Sequence, residues 1–221
     1  MDAESQVGED EPGSLPSHEM SCMTSLQEQF GGIDIYLFDQ ILRGNISPGM
    51  VIFDAGCGAG RNIVYLLREG YQVFGVDPDP DVIDTVRRLA PHLPAQNFRV
   101  ESVEENSYPD RFADVVICNT VLHFARDDAH FRSMLQGAWR TLKPGGLFFS
   151  RLASTIGGEH LLQHISGRWY RMADGTDRYL VDEPLLMQWT AELGAQLVDP
   201  IKTTVVQNQR SMTTWILRKP R

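Results

Sequence analysis

The chain has 221 residues, with 29 Asp and Glu against 20 Lys and Arg and a formal net charge of −9 at pH 7. Seven of the acids lie in residues 1–29, which hold no Lys or Arg; the remainder is close to neutral, at about −2, with no basic stripe for a nucleic acid. Cys22, Cys57 and Cys118 lack metal-ligand spacing, and there is neither a membrane-length apolar run nor a basic-then-apolar leader, so a soluble cytoplasmic monomer or homodimer with free thiols is expected.

Residues 1–21, rich in Ser, Gly, Pro and acid, are expected to be a disordered tail before a single domain over 22–221. The domain opens on a leading helix predicted over 25–42, where Phe30, Ile33, Leu37 and Ile41 recur at helical spacing across Gly31-Gly32. Val51 to Asp54 then reads as a buried strand. Gly56, Gly58 and Gly60 turn it into a helix bearing Ile63, Val64, Leu66 and Leu67 and closed by Gly70. Such a turn leaves bare backbone N–H and C=O groups at the carboxyl end of a strand, where a ligand can approach.

The spacing restricts the ligand. A dinucleotide fingerprint needs glycine at its sixth position, which here is Arg61, and no Gly-Lys-Ser/Thr ending is present for a phosphate loop. Asp54, two places before the first glycine, disfavours a phosphate and suits a ligand with a positive centre or an ammonium group. S-adenosylmethionine, with a sulfonium, an amino group and no phosphate, fits.

A second strand over Gln72 to Val76 ends at Asp77, where one carboxylate can accept from two neighbouring hydroxyls or start the next helix with Pro78. Val82, Ile83, Val86 and Leu89 mark that helix. Further strands follow at Phe98 to Val100, Asp114 to Asn119 and Gly146 to Ser150, with a helix predicted from Asp128 to Leu142 between the last two. Residues 151–180 interrupt the alternation as an insertion or lid, with a short helix expected at His160 to Ile165. A helix from Glu183 to Leu193 and a hairpin of Leu197 to Val206 with Met212 to Leu217 close the chain. Alternating strands and helices predict an α/β, doubly wound sheet.

Asp54-Ala55-Gly56-Cys57-Gly58-Ala59-Gly60, Asp77, Arg99 to Glu104, Asp114 to Asn119 and Leu142-Lys143-Pro144-Gly145-Gly146 together resemble the motifs of the class I S-adenosylmethionine-dependent methyltransferases, over residues 30–218. Gly60-Arg61-Asn62 with Tyr65-Leu66 is most similar to the tellurite-resistance type and related small-molecule enzymes. The resemblance implies a Rossmann-like, mostly parallel seven-stranded sheet of order 3-2-1-4-5-7-6 with an antiparallel last strand. It implies S-adenosyl-L-methionine as cofactor and S-adenosyl-L-homocysteine as product, held by Asp54, Ala55, Gly56, Cys57, Gly58, Gly60, Asn62 and Asn119. It also implies that Asp77 and Pro78 face the ribose and that Ser102 and Val103 face the adenine; the family more often has Asp in place of Ser102.

On the acceptor side, Asn119 to Phe124 lacks the Pro-Pro pair of enzymes that methylate base or glutamine amides, which leaves a small-molecule acceptor. Methyl transfer needs a general base only when the nucleophile arrives protonated. His123 is the candidate base, packing beneath the cofactor being the other reading. Tyr36, Arg151, Trp169 and Tyr170 are candidate pocket residues that permit a flat or anionic substrate. His160 and His164 fall at i, i+4 with no third ligand, so no metal site is expected. Two other readings are a non-catalytic S-adenosylmethionine- or adenosine-binding regulatory module and an NAD-dependent oxidoreductase.

Overall fold

The computed structural model describes residues 25–221, so the expected acidic tail at 1–21 lies outside the described residues. The leading segment forms two helices, α1 (Leu26–Phe30) and α2 (Ile35–Leu42), where the periodicity suggested one. The chain breaks at Gly31, whose φ is +62° and where a side chain's Cβ would lie only 3.1 Å from Val64 Cβ. Asp34 restarts the helix by accepting a 3.0 Å bond from the Tyr36 N–H.

Then come β1 (Val51–Ala55), α3 (Val64–Arg68), β2 (Gln72–Asp77), α4 (Pro80–Leu89), β3 (Phe98–Val100), β4 (Ala113–Asn119), α5 (Asp128–Thr141) and β5 (Leu142–Ala153). The insertion supplies β6 (Gln163–Ser166), β7 (Trp169–Arg171) and β8 (Asp177–Tyr179). The chain ends with α6 (Glu183–Glu192), β9 (Gln196–Leu197), β10 (Lys202–Val206) and β11 (Arg210–Arg218). The main sheet runs β3-β2-β1-β4-β5-β11-β10, parallel through β5 and antiparallel at β11. This is the expected 3-2-1-4-5-7-6 order. The sixth position is split: β9 and β10 both pair with β11, and the break falls at Asp199-Pro200, where proline lacks the N–H a ladder needs.

Alternation along the strands makes two cores. Phe53, Phe148 and Trp215 pack with Phe131 and Leu135 of α5 and Trp189 of α6; Ile52, Ile117 and Phe149 pack with Leu37, Leu66 and Ile83 of α2–α4. Each such fully buried side chain contributes about 1.5–3 kcal/mol.

The insertion is an antiparallel meander, β6-β7-β8, and not the expected helix. A single tight turn over Glu159–Leu161 precedes β6, which folds back on β7 through Gly167 at φ +52°. Cross-strand pairing outweighs the local helical spacing, so His160 and His164 share no helix face, and His164 Nε2 lies 3.0 Å from the Gly167 carbonyl. Among the described residues no helix is long and apolar enough to cross a membrane.

Candidate active site

The glycine turn sits at the carboxyl ends of β1 and β4, on the switch point of the sheet. Gly56 has φ +90°, and a Cβ there would lie 2.4 Å from Val121 Cγ2. Only glycine lets the segment leaving β4 lie against the loop. Gly56 and Cys57 donate their N–H groups to the Val76 carbonyl at 2.9 Å, tying the loop to β2. The Gly58 N–H donates to Asp77 Oδ2 at 3.0 Å, while Asp77 Oδ1 accepts from the Asp79 N–H at 3.1 Å. Asp77 is thus oriented by the loop it faces. Gly60 packs beneath the site, against Val86 of α4.

Two cavities meet at Gly56, Gly58 and Thr120. One, of about 510 Å³, is bounded by Asp77, Pro78, Ser102, Val103 and the apolar Phe124 and Met134. The other, of about 440 Å³, includes Cys57, Asn62, Asn119, His123 and Arg151. Thr120, the hinge between them, holds φ at +61°, an outlier for a β-branched residue. Its N–H donates to the Arg151 carbonyl at 2.7 Å and its hydroxyl to the Asn119 carbonyl at 2.6 Å.

Several polar atoms beside these cavities are buried without a protein partner. They are Asp54 Oδ2, Ser102 Oγ, both amide atoms of Asn119, Arg151 Nε and Thr214 Oγ1. Asn119, Arg151 and Thr214 are register partners across β4, β5 and β11. Burial, reinforced by the field of Asp77, pushes the Asp54 carboxyl well above the usual carboxylate range. Buried polar groups without a protein partner cost free energy, and Ser102, Asn119 and Arg151 border the two cavities, where a polar ligand could meet them.

A family profile described as a methyltransferase domain matches residues 53–150. Among curated proteins, a thiol S-methyltransferase of Rattus norvegicus is 31% identical over 154 residues, covering 66% of this chain and 59% of its own length. A ubiquinone biosynthesis O-methyltransferase of Bradyrhizobium diazoefficiens is 31% identical over 159 residues, covering 65% and 61%. The chain therefore spans about three fifths of the length of these two relatives. A methyltransferase structure from Methanosarcina mazei superposes with a TM-score of 0.68 at 19% identity, over 81% of this chain and 97% of that one. Residues 53–150 belong to the methyltransferase-domain family, and the fold is that of solved S-adenosylmethionine-dependent methyltransferases.

The expected Gly56, Cys57, Gly58, Asn62, Asp77, Pro78, Ser102, Val103 and Asn119 positions line the two cavities, while Gly60 lines neither and Asp54 and Ala55 are buried within β1. Asn62 Oδ1 accepts from the Asp34 N–H at 3.1 Å and so ties the leading segment to the loop. Arg151 donates to Asp34 at 3.0 Å, with its guanidinium 5.2 Å from the centre of the Tyr36 ring. Tyr36 stands behind it, its hydroxyl 2.7 Å from Thr204 Oγ1. Trp169 and Tyr170 border neither cavity. Trp169 Nε1 donates to the Arg126 carbonyl at 2.6 Å, and Tyr170 packs on His164.

The insertion reaches the site through the β7–β8 turn instead, with Met172, Asp174, Thr176 and Arg178; Arg210 and Met212 of β11 complete the wall. The Asp174-Gly175 pair between two short runs is a hairpin signal that could have located this turn in the sequence. Glu104 and His130, 2.9 Å apart beside the larger cavity, carried no such signal.

His123 is 7% exposed, and its Nδ1 accepts from the Ala153 N–H at 3.2 Å. The neutral ring then carries its proton on Nε2. Burial, followed by the charge of Arg178, pushes its pKa down to about 4. Burial pushes the Cys57 and Cys118 thiols upward, so both stay protonated near neutral pH.

Proposed function

We propose that the chain transfers a methyl group from S-adenosylmethionine to a small-molecule acceptor by in-line displacement. The observation that carries this reading is the buried carboxylate of Asp54, without a partner at Oδ2, beneath a glycine turn where two cavities join. The residues fit the donor. Asp54 and Asn119 offer unmet acceptors for an ammonium group, and Asp77 has carboxylate lone pairs left for vicinal hydroxyls. Ser102 Oγ and the Val103 backbone stand where an adenine amino group and ring edge could be read, with Met134 and Phe124 as apolar cover.

When bound, the donor supplies a methyl carbon on positively charged sulfur, so the leaving group needs no protonation. The chain's part is to position and to exclude water. Val121, seated against Gly56, and the strained Thr120 hold the junction of the cavities in one conformation. His123, with Nδ1 committed to Ala153, offers an Nε2–H donor, and we assign it orientation of the acceptor in place of the base role read from the sequence. The thiol and ubiquinone-pathway relatives support an acceptor of small size.

The test is calorimetry with S-adenosylhomocysteine and with NAD, followed by release of S-adenosylhomocysteine across thiols, phenols, carboxylic acids and metalloid oxyanions. Binding of S-adenosylhomocysteine with turnover on one acceptor class is expected. Binding of NAD alone would refute the donor assignment, and tight S-adenosylhomocysteine binding without turnover across the panel would favour a regulatory module.

A further inference from the structure

The wall of the smaller cavity is electropositive in a chain of net charge −9: four arginines, Arg61, Arg151, Arg178 and Arg210, face a single carboxylate, Asp174. Their roles separate. Arg151 is committed to the buried Asp34. Arg61 follows the glycine turn, and its charge opposes the upward shift of Asp54, which places it on the donor side. Arg178 on β8 and Arg210 on β11 stand on the far wall, contributed by the insertion and the closing hairpin.

Neither has a carboxylate within salt-bridge distance among the described residues. Arg178 spends one donor on the Asp177 carbonyl, at 2.7 Å, and its guanidinium is braced 4.8 Å from the Phe124 ring centre. Arg210 makes no side-chain hydrogen bond to a described residue. Asp174 feels the charge of both guanidinium groups but forms a salt bridge with neither, its Oδ1 being held in its own turn by the Thr176 N–H at 2.9 Å and hydroxyl at 2.6 Å, and one carboxylate leaves the two cations with net positive charge. Met172, Met212 and Ala153 line the same cavity, so apolar surface accompanies the free guanidinium groups.

We propose that the acceptor is a small organic anion, its carboxylate or phosphate held by Arg178 and Arg210 and its apolar body lying on Met172 and Met212. Two guanidinium groups with unused donors recognise a carboxylate or a phosphate in the same bidentate way. The concave wall concentrates their field, which raises the encounter rate of an anion and repels a cationic amine. No side chain of this cavity is a base that titrates near neutrality: the His123 lone pair is taken, and Cys57 is a buried thiol. An acceptor that arrives already ionised suits such a wall. This inference rests on the methyl-transfer reading only in naming the anion an acceptor.

The test uses the full chain saturated with S-adenosylhomocysteine and titrated calorimetrically with benzoate, phenyl phosphate and the uncharged benzamide. At least one anion is expected to bind, more weakly at high salt, and benzamide at least about tenfold more weakly. The benzoate and phenyl phosphate arms tell which oxyanion is preferred. The double variant Arg178→Gln with Arg210→Gln should lose about tenfold or more in anion affinity while its S-adenosylhomocysteine affinity stays within about twofold. Benzamide binding as tightly as the anions, no anion binding at about millimolar concentration, or full anion affinity in the double variant would overturn the proposal. The wild-type comparison stands even if the double variant misfolds. Absence of S-adenosylhomocysteine binding would instead sink the donor reading, and the anion arms can then be run on the unliganded protein.

Discussion

Replacing His123 by Asn tests the environment of the acceptor cavity directly. The ring is 7% exposed, accepts from the Ala153 N–H, and has its pKa lowered from 6.5 to about 4, by burial first and then by Arg178. In the unfolded chain the imidazole takes up a proton as the pH falls through about 6.5; in the folded chain it does so only near 4. The folded state therefore loses stability across that window as the pH falls, and the loss is complete below 4. At about 1.4 kcal/mol per unit, the gap amounts to about 3 kcal/mol. Asn keeps an oxygen for the Ala153 N–H but does not titrate. Equilibrium urea denaturation of both proteins at intervals from about pH 7.5 to 4 reads the effect. At the upper end the variant should be less stable by roughly 1–2 kcal/mol through lost packing. The difference should then shift in the variant's favour by up to about 3 kcal/mol by about pH 4. Parallel stability profiles would refute the buried, neutral His123 and with it the argument against a base.

Gly56→Ala forces a side chain into φ +90° and against Val121 at 2.4 Å; it should cost about 2–5 kcal/mol of stability in urea titrations and abolish S-adenosylhomocysteine binding by calorimetry. Asp77→Ala should weaken S-adenosylhomocysteine by about 1–3 kcal/mol, and an unchanged dissociation constant would reject its place at the ribose. Asp54→Asn removes a buried carboxylate with an unmet oxygen, so the unliganded protein should melt higher while S-adenosylhomocysteine affinity drops about tenfold or more. A lower melting temperature together with retained affinity would show that Asp54 serves the loop and not the donor.

The glycine turn, Asp54, Asp77 and the sheet order could be read in the sequence because each depends on neighbours in the chain. A strand period, a helical period and a positive-φ glycine are local properties, and in a doubly wound sheet they follow one another in order. The meander could not be read this way. His160 to Ile165 satisfies a helical spacing, but β6 gains its hydrogen bonds from β7, and pairing of that kind leaves no mark within a single short segment. For the same reason Trp169 and Tyr170 looked like pocket residues and are not. Their strand places them against Arg126 and His164, while the turn beyond them enters the cavity.

By itself, the sequence determined the side of the site proposed for the donor, since a loop of seven residues and one acid 23 positions after Asp54 carry the groups that reading uses. Only the tertiary structure decided the other side. Arg151, Arg178 and Arg210 come from three elements, and Asp34, 117 positions from Arg151, selects which guanidinium groups remain free. The tautomer of His123 is likewise set by a backbone N–H 30 residues away. Charge, burial and protonation are properties of what surrounds a group in space, and the residues around the acceptor cavity meet only when the sheet closes.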